Sequence, residues 1–200
     1  MKTKDKICIT ALRLFNETNT QAATTNHIAA AMGISPGNLH YHYKNREAII
    51  YALYEQMQKE CFQEHDTIPH SINELVTLHQ HLAKVFWEYR FFHRELLFLL
   101  SRDEKLKQRY INDNLNYQKR ITAMLHAFHE KGWLYLPYEN MVTHVCDTIM
   151  IFTQFWHSYL ETTNQELNEY NLQGAIRRIE GTLRSFMTEK GLKILAQIES

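Results

Sequence analysis

Residues 24 to 43 of this chain read TTNHIAAAMGISPGNLHYHY, and near its end this stretch sets Asn38, His40, Tyr41 and His42 around a single apolar Leu39. A carboxamide, two imidazoles and a phenol offer hydrogen-bond donors and acceptors in several directions. None is a strong helix former, so the set suits contact with another polar surface better than the plain solvated face of a helix. Covalent chemistry has less support. No nucleophile elbow, phosphate-binding loop or Ser-His-Asp grouping is present, and the sequence does not read as an enzyme.

The residues before this set explain how it would be positioned. Thr24 can cap a helix with its hydroxyl, while Ile28 and Ala29 face inward. Gly33 supplies a left-handed residue at the helix end, and Ile34 fills the angle after it. Ser35 can cap the next helix and Pro36 occupies its first turn, where a missing N–H costs nothing. Gly37 removes a side chain there, so that backbone and phosphate can come close. With Leu39 pointing inward, the four polar residues are left outside. The pattern is a helix-turn-helix over residues 24–43.

The rest of the chain also reads as helical, because apolar residues recur at steps of three and four and nothing alternates as a half-buried strand would. Ile7, Ala11, Leu14 and Phe15 define a first helix, and Ile49, Leu53 and Met57 a longer one after Asn45. Ser71 and Ser101 open the capping boxes SINE and SRDE, and Gly132 suits the end of the long helix that follows the second. Pro137 is expected to start the next helix and Gly191 to end the last. Two long helices then lie near residues 138–161 and 168–189.

Each of these two carries an apolar seam. One is Val145, Ile149, Phe152, Trp156 and Tyr159; the other is Leu172, Ile176, Ile179, Leu183 and Phe186. The first helix has further apolar residues at Val142, Cys146, Met150, Ile151 and Phe155, so it is either a buried central helix or one that faces its own core and a second subunit. Left uncovered, the two seams would exceed the apolar patch that soluble monomers normally expose. They are therefore expected to form a homodimer interface.

Charge is segregated along the chain. Residues 1–50 hold six Lys/Arg against three Asp/Glu, and the remainder sixteen against nineteen, although the total is zero. A basic end is the electrostatic footprint of a nucleic-acid binder. Cys8, Cys61 and Cys146 fit neither a disulfide framework nor a zinc site and are expected to be buried. The opening MKTKDK has no apolar core, and no apolar run reaches the roughly 18 residues that span a bilayer. A cytoplasmic protein without a membrane partner is expected.

Residues 5–53 resemble the TetR family of bacterial transcriptional regulators. Ile28, Ala29, Gly33, Ser35, Gly37, Leu39, His42 and Glu47 fall on the family pattern, and Ile34, Tyr43, Arg46 and Ile50 are close substitutes. Asn38 and His40 stand where Thr and Tyr are usual, which bears on the DNA sequence recognised. The resemblance implies an all-α fold: an N-terminal three-helix helix-turn-helix DNA-binding domain over residues 1–47, then a C-terminal helical effector-binding and dimerisation domain over residues 48–200. It implies a homodimer on an inverted-repeat operator of double-stranded DNA, and a repressor released by a small-molecule effector. An activating or non-transcriptional role, or a helical small-molecule-binding protein or enzyme without DNA, are the alternatives.

Family members touch DNA through positions that match Thr24, Thr25 and Asn26, then Ser35, Pro36, Gly37 and Asn38, then His40, Tyr41, His42 and Lys44. By side-chain chemistry, Asn38 and Tyr41 suit base edges, since a carboxamide can grip adenine with two hydrogen bonds. Thr24, Ser35, His40, His42 and Lys44 suit phosphate.

The stretch FWEYRFFHRELLFLL, residues 86–100, mixes aromatics with Glu88, Arg90, His93, Arg94 and Glu95. Charges on so apolar a helix must pair with each other or meet a charged ligand, and the sequence leaves both open. The expected effector pocket draws on Trp87, Tyr89, Arg90, Arg94, Tyr110, Tyr117, Phe152, Phe155 and Trp156, and favours an apolar or aromatic, in part acidic, molecule. The pairs His79 and His81, and His126 and His129, lack further ligands at matching spacing, so neither a metal nor a cofactor is expected.

Overall fold

The computed structural model describes residues 1–62, 68–138 and 140–199. Twelve helices occur among them. The first seven are α1 (Thr3–Glu17), α2 (Thr25–Met32), α3 (Pro36–His42), α4 (Arg46–Phe62), α5 (Ile72–Glu88), α6 (Arg90–Arg94) and α7 (Leu96–Arg102). Then follow α8 (Glu104–Glu130), α9 (Met141–Thr162), α10 (Glu169–Leu172), α11 (Gly174–Ser185) and α12 (Glu189–Glu199). Leu134 and Met187 add an isolated antiparallel bridge.

Most helix ends follow the local chemistry of the sequence. Thr24 and Ser35 accept the His27 and Asn38 amide hydrogens at 3.3 and 3.1 Å, and Gly33 and Gly132 take φ values of 66° and 67°. Ser71 accepts the Glu74 N–H at 3.1 Å, while the Glu74 carboxylate reaches back to the His70 N–H at 2.8 Å, one residue before the expected capping-box partner. Asp103, not Ser101, caps α8: its carboxylate accepts from the Leu106 N–H at 3.1 Å, while Ser101 lies inside α7.

Three other expected ends are corrected. Pro137 precedes α9 by a turn and does not begin it, because the chain from 133 to 136 is held by backbone bonds such as Tyr135 N–H to Phe186 O, 2.8 Å. The helix expected near 168–189 is divided into α10 and α11, the first capped by Asn168. Gly191 lies within α12.

The chain divides into two compact units, Met1–Glu64 with Glu88–Gln108, and His65–Trp87 with Arg109–Ser200. The boundary expected at residue 47 falls in the first turn of α4. Helix α4 runs straight through it, and the core of the first unit is completed by aromatics from α6. Phe91 lies 5.3 Å from Phe15, and Phe92 stacks on Tyr54 at 5.0 Å, all four rings being buried.

In the second unit α9 and α11 pack on each other through their seams. Val145, Ile149, Trp156, Leu172, Ile176, Ile179 and Leu183 are buried within the single chain. Burial of each of these large side chains stabilises the protomer by about 1.5–3 kcal/mol. Trp156 is the centre of the contact. Its indole N–H donates to Asn171 O at 2.8 Å, the Tyr159 ring stacks on it at 4.8 Å, and the Arg178 guanidinium lies 4.4 Å from its ring. Of the remaining seam residues Phe152 and Phe186 are half-buried and Tyr159 is exposed. Ile151, Phe155 and Tyr159, at 58%, 41% and 46% exposure, form the outward apolar stripe of α9.

Candidate nucleic-acid interface

Helices α1, α2 and α3 share a small core of Ile7, Ala11, Ile28, Ala29 and Leu39, each nearly or wholly inaccessible. Gly33 makes the turn, and the Ile34 N–H returns to Ala29 O at 3.0 Å to close the end of α2. With Leu39 fixed inward, the rest of α3 faces out. Asn38, His40 and Tyr41 are exposed, Tyr41 at 86%, and His42 is half-buried with its ring edge-on to Tyr41.

Thr24, Asn26, Ser35, Pro36, Gly37 and Lys44 are also exposed and Thr25 is partly so, which places all eleven expected contact residues at the surface of one unit. The Thr24 and Ser35 hydroxyl oxygens accept their capping bonds and keep a proton to donate to phosphate. Lys4 was not singled out in the sequence. Its ammonium lies 5.2 Å from the centre of the Tyr43 ring, which brings a cation of α1 beside the residue that ends α3. Only the fold makes these two neighbours, because nothing in their spacing relates them.

Tyr43 itself is buried, and its hydroxyl meets the Cys8 thiol at 3.0 Å. Burial, then that contact, pushes the phenol up and keeps it neutral. All three cysteines are free and buried.

Arg46 and Arg94 turn inward. Arg46 donates to Thr20 O at 2.6 Å, and Arg94 donates to Phe15 O at 2.7 Å and pairs with Glu95 at 3.0 Å. Of the two readings of residues 86–100, internal pairing is the one realised by Arg94. Burial, then the like charge of Arg94, lowers Arg90.

The nine expected effector residues are distributed over both units. Tyr89, Arg90 and Arg94 belong to the first unit, and Trp87, Tyr110, Tyr117, Phe152, Phe155 and Trp156 to the second. Tyr89 is buried and donates to Glu60 at 2.7 Å, and Trp156 is core with Trp87 and Phe152 packed against its cluster. Tyr89 and Trp156 are thus engaged in packing, whereas Phe155 is exposed on α9. A small cleft in the first unit is lined by Thr20, Arg46, Glu47, Ile50, Phe98 and others, and by none of the nine.

Among the histidine pairs, His79 meets Glu180 at 3.2 Å and His129 accepts the Leu136 N–H at 3.3 Å. No cluster of three metal-ligating side chains occurs among the described residues. No helix among them is long and apolar enough to cross a membrane.

Comparison with known proteins bears on the whole chain. A family model described as bacterial regulatory proteins of the tetR family matches residues 7–53, and one described as bacterial transcriptional repressor matches residues 53–195. A TetR-family transcriptional regulator from Marinobacter aquaeolei VT8 is 28% identical, with a TM-score of 0.85 over 100% of this chain and 98% of that one. A TetR transcription regulator from Haloarcula marismortui ATCC 43049 shares the fold at 16% identity and a TM-score of 0.70, over 92% of this chain and 98% of that one. The ketosteroid transcriptional regulator KstR2 of Mycobacterium tuberculosis shares it at 16% identity and a TM-score of 0.65, over 94% and 96%. With an outward recognition helix on a small apolar core and both family models matched end to end, the chain belongs to the TetR family and is a DNA-binding transcriptional regulator.

Proposed function

We propose that the protein is a homodimeric repressor that occupies an inverted-repeat operator and leaves it when a small apolar or aromatic molecule binds. The observation that carries the DNA half of this reading is α3, where Asn38 and Tyr41 stand exposed on a helix fixed from behind by Leu39. Asn38 and Tyr41 read base edges, and Thr24, Ser35, His40, His42 and Lys44 hold phosphates. Two such helices related by a two-fold axis read a symmetric site with half-sites about one helical turn apart.

Dimerisation is supported by the outward stripe of Ile151, Phe155 and Tyr159 on α9, which the chain leaves uncovered. A second copy would cover it. The repressor sense is supported by the description of the family model over residues 53–195. An apolar effector is supported by the aromatic content of the second unit, where Trp87 and Phe152 lie half-buried around the Trp156 cluster. One protein of the same fold is described as a ketosteroid regulator, which agrees with that chemistry.

The test is selection of duplexes from fragmented DNA by the unmodified protein, followed by footprinting and native mass spectrometry. A protected inverted repeat that overlaps a promoter supports repression, and one upstream of it indicates activation. A small molecule retained in the native spectrum, and releasing the DNA when added back, would identify the effector.

A further inference from the structure

Thr20 lies in the loop between α1 and α2, and although polar it is entirely buried. Its three polar groups are all held. The backbone N–H donates to the two Glu95 carboxylate oxygens at 3.2 and 3.1 Å, and the hydroxyl donates to one of them at 2.5 Å. The carbonyl accepts from Arg46 at 2.6 Å. Glu95 is the residue between α6 and α7, with a side chain 10% exposed.

The neighbouring groups extend the same grip to the end of α1. Arg94 pairs with Glu95 at 3.0 Å and donates to Phe15 O at 2.7 Å and Asn16 O at 3.4 Å. The Asn16 carboxamide accepts from the Phe91 N–H at 3.0 Å and donates to Glu88 O at 2.7 Å. Residues 88–95 thus hold the last turn of α1 and the loop that leads into α2. The rest of that loop is tied mainly to itself, by Asn19 capping the Gln21 and Ala22 amides and by His27 reaching Ala22 O.

We infer that Glu95 is a positioning residue for operator recognition, acting through Thr20 on the start of α2. A mostly buried carboxylate that accepts from both an N–H and a hydroxyl fixes direction as well as distance, because the bonds are charge-assisted and largely shielded from water. Helix α2 begins five residues after Thr20, and α3 follows it across a tight turn. A loop free to shift by an ångström would tilt both helices away from the groove. Glu95 touches none of the residues assigned to DNA, so its effect is on their placement. The segment that carries it is continuous in the chain with α5 and with α8. Within the first unit, a displacement of this segment would reach the start of α2 through Glu95 and the end of α1 through Arg94 and Asn16.

This inference rests on the DNA-binding reading of α3, and the experiment separates the two. The full-length protein selects a duplex from a randomised library; Glu95→Gln, Thr20→Val and Thr20→Ser are then compared on that duplex and on an unrelated one, with helicity followed by circular dichroism. Glu95→Gln and Thr20→Val should stay helical and bind the selected duplex about tenfold to a hundredfold more weakly. Binding to the unrelated duplex should change less, so the ratio between the two falls; a merely stabilising contact would leave the ratio of the folded protein intact. Thr20→Ser keeps the hydroxyl and should bind within about twofold of the unmodified protein. Should Glu95→Gln fail to fold, Thr20→Val against Thr20→Ser decides. Folded variants with unchanged affinity and ratio, or a Ser variant as weak as the Val variant, would overturn the inference. If the unmodified protein selects no duplex at all, the reading of α3 fails instead.

Discussion

Gly191 and Trp133 touch so closely that a Cβ on Gly191 would lie 2.4 Å from the Trp133 carbonyl oxygen. The same carbonyl accepts the Thr188 N–H at 3.0 Å, and the Thr188 hydroxyl donates to Gly132 O at 2.7 Å. Helix α12 is therefore docked by its first turn on the chain that leaves α8. The colliding atom is backbone already engaged in a hydrogen bond, so it has little room to yield. Gly191→Ala should destabilise the protein by about 1–3 kcal/mol, as other overpacked sites do. Denaturant unfolding measures this, and an unchanged midpoint would show that α12 can move aside freely.

Exposed residues of α3 give the opposite profile. Asn38→Ala and Tyr41→Ala should leave stability nearly unchanged, since neither side chain is buried. Each should weaken operator binding by about 1–3 kcal/mol and relax base preference, whereas Lys44→Ala should weaken all sequences alike and lower the salt dependence. Binding isotherms on matched and mismatched duplexes would expose the error if full preference survived.

On α9 the two faces should respond differently to charge. Ile149 is 4% exposed, so Ile149→Asp buries an unpaired carboxylate and should unfold the chain. Phe155, at 41%, lies on the outward stripe, and Phe155→Asp should give a folded helical monomer that no longer holds an inverted repeat. Sedimentation finding a dimer in both the unmodified protein and Phe155→Asp would move the interface elsewhere.

Burial pushes the Cys61 thiol up to about 12, with the charge of Glu60 adding to the effect. The folded value lies above the ordinary thiol value near 9, so the folded state favours the neutral thiol. Its contribution to stability is complete below about pH 9 and fades as pH rises toward about 12. The thiolate is the reactive form, so alkylation of Cys61 in the native protein near pH 8 should be negligible and become rapid in denaturant. Mass spectrometry after a brief iodoacetamide pulse reads this directly, and prompt native labelling of Cys61 would contradict it.

The three-helix start of the chain was legible because its constraints are local. Thr24, Gly33, Ser35 and Leu39 each do a job within a few residues of themselves, as a cap, a left-handed turn or an inward anchor, and they do it in the structure as well. Most of the helical register elsewhere was legible for the same reason.

What the sequence could not contain is which surface each apolar face would meet. Periodicity marks Val145 to Tyr159 and Leu172 to Phe186 as seams, but a seam reads the same whether it is covered by its own chain or by another. Only the fold turns most of both onto each other and leaves Ile151, Phe155 and Tyr159 outside. The charged residues around position 90 have the same ambiguity. Arg94 and Glu95 could have served a ligand, and tertiary structure instead commits them to Phe15 and Thr20, more than seventy residues away along the chain. Local chemistry is written within a turn or two of helix, so the sequence by itself determined the first three helices, the caps at Thr24 and Ser35 and which residues of α3 face outward. Pairing across long loops depends on which buried surfaces and polar groups satisfy one another best, and that was decided only when the whole chain was packed.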